Sequence, residues 1–197
     1  MDSVLFYDTQ SKADQPFSVE GHHTPDELAE ASGVWISAAG ASMLSQGSHI
    51  LKDVDCWLWI AAQNGTFTLS NDEFSIQLKG KESCMVPPHT TGLQLISEQE
   101  TRMLWLMVAG PLSGMFLQKM GALPRRAMKQ GALPSQLKLA KHIVQATVRV
   151  SAAQDASSAQ LQQLLWAMLA SHSGQPVAMA AVLSHEIAKV IDAMRKN

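Results

Sequence analysis

The sequence predicts an α+β chain in which a small β-sandwich or barrel comes first and helices follow. Three observations carry this. Between Gly33 and Gly110, short apolar runs alternate with turn residues at the spacing seen in all-β domains. The breaks are chemically specific, with Asn64-Gly65 at one and Pro87-Pro88 at another. After Gly110 the apolar period changes to that of amphipathic helices.

The expected strands run over about 33–39, 41–45, 48–51, 56–63, 66–70, 73–78, 83–87, 92–96 and 102–109. Asn64-Gly65 tolerates positive φ at both positions, so it predicts a hairpin joining WLWIAAQ to TFTLS. Ser70-Asn71-Asp72 turns the chain again, and FSIQL alternates like a half-buried strand. Pro87-Pro88 lacks the N–H groups a central strand needs and closes the strand before it. Pro111 then opens a helix that stops near Gly121. A second helix, about 135–150, places Leu137, Ala140, Val144 and Val148 near one stripe. A third, about 156–172, carries Leu161, Leu164, Leu165, Met168 and Leu169 on one face. A last helix begins near Ser184, which can cap it. Ahead of the strands, residues 1–30 read as an irregular polar arm, with a short helix possible at Thr24-Pro25-Asp26-Glu27-Leu28.

The chain has 197 residues, 46% of them hydrophobic, which supplies a core and excludes a disordered protein. A net charge of -2 argues against nucleic-acid binding through bulk charge. That total hides an asymmetry. Residues 1–30 hold seven acids and one base, whereas residues 101–154 hold eight bases and no acid. The acidic arm could dock on the basic segment, including Lys138, Lys141 and Arg149, or both could be solvated surfaces. The acidic start does not resemble a secretory signal, and no apolar run is long enough to span a membrane, so a cytoplasmic location is expected.

Motifs for catalysis and cofactors are missing. There is no HxH, HExxH or CxxC, and the adjacent His22-His23 would point to opposite faces of a strand, as solvated arm histidines. Cys56 and Cys84 lack a nucleophile elbow or an oxyanion-hole glycine cluster and read as reduced core thiols. Neither GxGxxG nor GxxxxGK occurs. Hence no catalytic residue, no metal ligand and no cofactor is expected. The remaining signal is aromatic: Trp35, Trp57, Trp59 and Trp105 all fall in the strand-rich half. Trp57 and Trp59 share one strand face, as do Met103, Trp105 and Met107. Such groups can line an adaptable apolar pocket or simply fill a core, and the pattern does not decide which face of residues 56–63 points inward.

The order of these pieces resembles a known family. Over residues 57–121, a strand leads to a turn glycine (Gly65), and a second glycine-initiated strand ends in a proline corner (Gly80 to Pro88). A Trp-bearing strand then closes the barrel at Gly110 before a helix. This punctuation resembles the N-terminal half of AraC-type transcriptional regulators. LSHEIAKVIDAMRKN, 183–197, is similar to the first helix leading into that family's double helix-turn-helix domain. The closing strand departs from the family in reading Val108-Ala109-Gly110, where an aromatic often precedes the glycine.

The resemblance implies a cupin-like double-stranded β-barrel (jelly roll) followed by an α-helical dimerisation segment. It divides the chain into an arm (1–30), an effector-binding barrel (31–110), a helical dimerisation segment (111–183) and a linker helix (184–197). A small-molecule effector would contact some of Trp35, Trp57, Trp59, His89, Trp105 and Met107. A homodimer would use Leu137, Val144, Leu161, Leu165 and Met168, although packing inside one protomer accounts for the same stripes. DNA would be met only through a C-terminal domain beyond these residues. The stretch Gly47-Ser48-His49 lacks the HxH of metal-using cupins, and one histidine, His89, follows the proline corner. That disfavours the alternative of a metal-dependent cupin enzyme held by His49 or His89. A solidly packed barrel acting only through protein contacts is the other alternative.

Overall fold

The computed structural model describes residues 6–8, 18–51, 54–119, 122, 126–132, 134–151 and 158–172. Among the described residues, eleven strands and four helices follow one another. They are β1 (Phe6–Asp8), β2 (Ser18–His22), α1 (Glu27–Ser32), β3 (Trp35–Leu44), β4 (Gly47–Leu51), β5 (Trp57–Ala62), β6 (Thr66–Ser70) and β7 (Ser75–Lys79). Then come β8 (Glu82–Val86), β9 (Gln94–Ser97), β10 (Thr101–Ala109), α2 (Ser113–Lys119), β11 (Met128–Gly131), α3 (Pro134–Ser151) and α4 (Ser158–His172).

The strand pairing defines the fold. β3 pairs with β10, β4 with β9, β5 with β8 and β6 with β7, all antiparallel. These are nested pairs of one long ribbon, and alternate pairs fall in opposite sheets. The small sheet has the order β1-β4-β9-β6-β7, and the large sheet β11-β8-β5-β10-β3-β2. An eight-stranded ribbon rolled up in this way is a jelly roll, the double-stranded barrel of cupins. The expected fold class is therefore observed.

Patterning explains which sheet is which. In the small sheet, Thr66–Ser70 and Gln94–Ser97 alternate, with Phe67, Leu69, Leu95 and Ser97 buried and their neighbours open. The central strand Trp57–Ala62 is buried at every position, because the large sheet is covered on both faces. Its inner face joins the small sheet around Leu58, Ile60, Phe67, Leu69, Leu95 and Trp105. Its outer face carries Trp57, Trp59, Leu104 and Leu106 against Leu117 of α2, Ile143 and Val144 of α3, and Leu161 and Leu165 of α4. The architecture is three layers: small sheet, large sheet, helices.

Several expectations change. Asn64-Gly65 is not a hairpin turn, since β5 and β6 lie in opposite sheets. Gly65 keeps its positive φ of 71°, but it turns the chain across the barrel end, where Asn64 Oδ1 accepts from the Arg102 N–H at 2.9 Å. The expected strands 33–39 and 41–45 are one strand, uninterrupted by Gly40. The short helix begins at Glu27, capped by Asp26 and not by Thr24. Part of the expected irregular arm is ordered as β2, an edge strand on β3. It packs on α3 by backbone approach: a Cβ on Gly21 would lie 2.5 Å from the Thr147 carbonyl carbon. The expected helix near Ser184 lies outside the described residues. No helix among the described residues is long and apolar enough to cross a membrane.

Candidate functional site

β10 is, with β5, one of the two central strands of the large sheet, and its two faces separate the tryptophans. Trp105 pairs with Ile60 and faces into the barrel, while Leu106 pairs with Trp59 and both face the helices. Trp105 is fully buried and donates from Nε1 to Ser42 Oγ at 3.2 Å. Its ring lies against Gly40, where a Cβ would collide with the indole. That close approach explains a glycine in the middle of a strand.

At one end of the barrel, a β-bulge re-aims the start of β3. Met107 pairs with Ala38, but Val108 pairs with Ile36, so Ser37 is the extra residue. The shift puts Ile36 in the helix-side core and returns Trp35, opposite Ala109, to the barrel side. Ser37 Oγ donates to the Met107 carbonyl at 3.3 Å and lies 3.8 Å from Cys56 Sγ. Trp35, Met107 and Cys56 are all half-buried at this end, the mouth of the barrel. Burial raises the Cys56 thiol above its ordinary range, and pushes Cys84, deep in the barrel, up to about 12. Both cysteines are free, and neither environment favours a thiolate nucleophile.

The expected ligand contacts therefore do not converge. Trp35 and Met107 lie on the barrel-facing side at the mouth, and Trp105 lies further in on the same face. Trp57 and Trp59 face the opposite side, under α2, α3 and α4. His89 is exposed on the loop after the proline corner, at the same end as the mouth, with φ of 61° and its N–H on the Val54 carbonyl at 2.6 Å. Sequence reasoning missed Ser37, Cys56 and Gly40. Gly40 alone gave a signal, as a glycine inside an apolar strand.

The helix stripes are also placed. Val144, Leu161, Leu165 and Met168 are buried in the core beneath the large sheet, and Leu137 packs against it. These five side chains pack within one protomer, which is the expected alternative to a two-fold interface. One polar residue connects this layer to the mouth. Gln162 of α4 donates from Nε2 to the Val34 carbonyl at 2.7 Å and to Ser32 Oγ at 3.0 Å. Val34 immediately precedes Trp35.

The histidines differ from expectation too. His23 is buried, with Nδ1 3.0 Å from the Ile36 carbonyl, while His22 is exposed. His49 is buried, with Nε2 3.2 Å from the Ser45 carbonyl. Among the described residues, no three His, Cys, Asp or Glu side chains could converge on a metal ion. Elsewhere, an open cleft of about 460 Å³ lies on the outer face of the small sheet, lined by Thr66, Thr68, Gln77, Lys79, Ile96 and Glu98.

No protein-family model matches the chain, and no curated protein matches it by sequence. Solved structures do match. A cupin superfamily protein from Desulfitobacterium hafniense is 13% identical, with 50% of this chain and 81% of that one covered and a TM-score of 0.36. ToxT from Vibrio cholerae is 6% identical over 73% of this chain and 59% of its own, with a TM-score of 0.45. YhaK from Escherichia coli is 11% identical over 60% of this chain and 51% of its own, at 0.42. The assignment to the cupin-like jelly roll rests on the strand order described above.

Proposed function

We propose that this chain is the effector-sensing and dimerisation part of an AraC-type transcription regulator, non-catalytic and metal-free, acting in the cytoplasm. A small, partly apolar effector enters between Trp35 and Met107. The observation that carries this is the connection from the mouth to the helices: Trp35 is one residue from Val34, whose carbonyl is held by Gln162 of α4. An effector that displaces Trp35 changes the free energy of that hydrogen bond, and so shifts the population of helix arrangements. The helical layer passes the shift to a homodimer and to a DNA-binding domain C-terminal to these residues. Dimerisation uses surfaces other than Leu137, Val144, Leu161, Leu165 and Met168, which the protomer core occupies.

The test is a compound panel screened by thermal upshift, followed by Trp35→Ala and Met107→Ala variants. A true effector raises the melting temperature saturably, by the free energy RT ln(1 + [L]/Kd), and loses that effect in both variants. An upshift undiminished in both would place the ligand elsewhere and contradict the proposal.

A second role is favoured by one observation. Trp105, Phe67, Leu58, Ile60 and Leu95 fill the inner face with hardly any exposed surface. A barrel so filled could serve only as a protein-interaction module, in which case no compound in the panel would shift the melting temperature.

A further inference from the structure

The outer face of the small sheet holds the open cleft of about 460 Å³. That volume falls within the roughly 300–1,000 Å³ of small-molecule sites. Its floor is built from three adjacent strands, β9, β6 and β7. The register places the lining. Thr68 lies between Gln77 and Ile96, and Thr66 pairs with Lys79. On the other side Phe67 pairs with Ser97, so Thr66 stands beside Glu98, the next residue along.

Lys79 and Glu98 therefore flank Thr66 on one face, two strand spacings or about 10 Å apart at the backbone. Among the described residues, ion pairs join His22 to Glu20 and Lys129 to Glu82, and Lys79 and Glu98 have none. Glu82 does not satisfy Lys79. That carboxylate accepts from the Lys79 backbone N–H and is held by the Lys129 ammonium, and the charge of Lys79 is the least of the influences on it. The cleft thus carries one unmatched cation and one unmatched anion on opposite walls. Between them it offers hydroxyls at Thr66 and Thr68 and an apolar group, Ile96, which is 42% exposed. Ile50 of β4, 38% exposed, is the diagonal neighbour of Ile96 and extends the aliphatic strip.

From this we infer a second ligand site, on the outer face of the small sheet, that binds a free α-amino acid with an aliphatic side chain. Its carboxylate meets Lys79, its ammonium meets Glu98, and its side chain lies over Ile96 towards Ile50. The dimensions agree. Ammonium nitrogen and carboxylate oxygen of an α-amino acid are about 3 Å apart, and a charge-assisted hydrogen bond adds about 2.8 Å at each end. Side chains stand roughly perpendicular to a sheet, so the two charged groups rise from strands at about the separation this ligand spans. A sugar would leave both charges unmatched, and a simple anion or cation would match one. The site does not depend on an effector at the mouth. Thr101, at the other end of β10 from Met107, donates to the Thr66 carbonyl at 3.2 Å, so the cleft and the mouth lie at opposite ends of the barrel.

The experiment titrates the whole chain with L-leucine and follows backbone amide resonances. Saturable shifts at Thr66, Thr68, Gln77 and Ile96 are expected, with Trp35 and Met107 unmoved. Isocaproic acid lacks the ammonium group and isoamylamine lacks the carboxylate, so each should bind more weakly than leucine. Lys79→Met and Glu98→Gln should each weaken leucine binding by about two- to fivefold, the upper part of the range for exposed charge pairs. The inference is overturned if leucine moves none of these amides, if either singly charged analogue binds as tightly as leucine, or if neither variant weakens binding. Shifts of the same amides by glucose and not by leucine would also overturn it, since the cleft would then read hydroxyls and not charges.

Discussion

The side-chain amide of Gln162 donates to the carbonyl of Val34 at 2.7 Å, so the last described helix holds the backbone one residue ahead of the mouth tryptophan, Trp35. The same amide nitrogen reaches Ser32 Oγ at 3.0 Å, and the single proton of that hydroxyl has the carbonyls of Ala29, at 2.7 Å, and Val34, at 2.8 Å, as alternative acceptors. One glutamine thereby joins α4, the end of α1 and the start of β3. Replacing it by leucine keeps the bulk and leaves the Val34 carbonyl only the Ser32 hydroxyl, for which the Ala29 carbonyl competes. Gln162→Leu should cost about 0.5–1.5 kcal/mol in urea unfolding, with faster amide exchange over residues 32–36. A loss under about 0.5 kcal/mol with unchanged exchange would show that the tether is idle.

Gly40 and Trp105 should behave as one unit. Gly40→Ala drives a methyl into the indole and should destabilise by about 1–3 kcal/mol, the range for overpacking a tight core. Trp105→Leu makes room at its own cost, so the double variant should be less unstable than the sum of the two single changes. A coupling below about 0.5 kcal/mol, the usual limit for independent sites, would mean that the ring is not where Gly40 requires it.

Cys84 should make the protein sensitive to alkali. Its folded pKa, about 12, stands above the ordinary 9.0 because burial disfavours the thiolate. A raised folded value means that the stabilisation is complete below pH 9 and is lost as pH climbs towards 12. The slope in that window should reach up to about 1.4 kcal/mol per pH unit from this group. Cys84→Ala should remove that component from the curve of unfolding free energy against pH. An unaltered slope would show that the thiol ionises freely in the native state.

The seam between the two sheets depends on Lys129. Its ammonium donates to the Gln77 carbonyl at 2.9 Å and pairs with Glu82 Oε2 at 2.8 Å, while Glu82 accepts from the Lys79 N–H at 2.8 Å. The hydrogen bond from Lys129 is the main cause that lowers the Glu82 pKa. A depressed folded value stabilises above the ordinary carboxylate range, and the effect fades as pH falls through the folded value. Both side chains are partly exposed, so Lys129→Met should cost less than about 1 kcal/mol at neutral pH. The penalty should shrink in acid, as urea titrations at pH 7 and pH 3 would show; an equal penalty at both would contradict the pairing.

Much of this fold is legible in the sequence because burial writes itself as a pattern. The all-apolar WLWIAA is a strand covered on both faces, and the alternating TFTLS is one with a wet side. Other features leave no such mark. Asn64-Gly65 satisfies positive φ equally well in a hairpin and in a corner between sheets, so local chemistry could not tell them apart. The bulge at Ser37 shifts Trp35 from one face to the other, and no residue at positions 35–38 announces it. His22-His23 and their flanks are polar enough to read as a loose arm, yet the edge of β3 recruits them as backbone partners. The apolar stripes of α3 and α4 identified their buried faces correctly. Periodicity says only that a face is covered, and it was the protomer's own sheet that covered it.

The most direct test of the central claim uses Cys56 as an anchor. It is half-buried at the mouth beside Ser37, while Cys84 is fully buried, so a small benzyl thiosulfonate reagent should modify Cys56 first and mimic an occupant. Amide exchange is then followed across α4. Faster or slower exchange around Gln162 in the modified protein, abolished in Gln162→Leu, is the expected result. Modified Cys56 with α4 exchange identical to that of the free protein would contradict the coupling between mouth and helices.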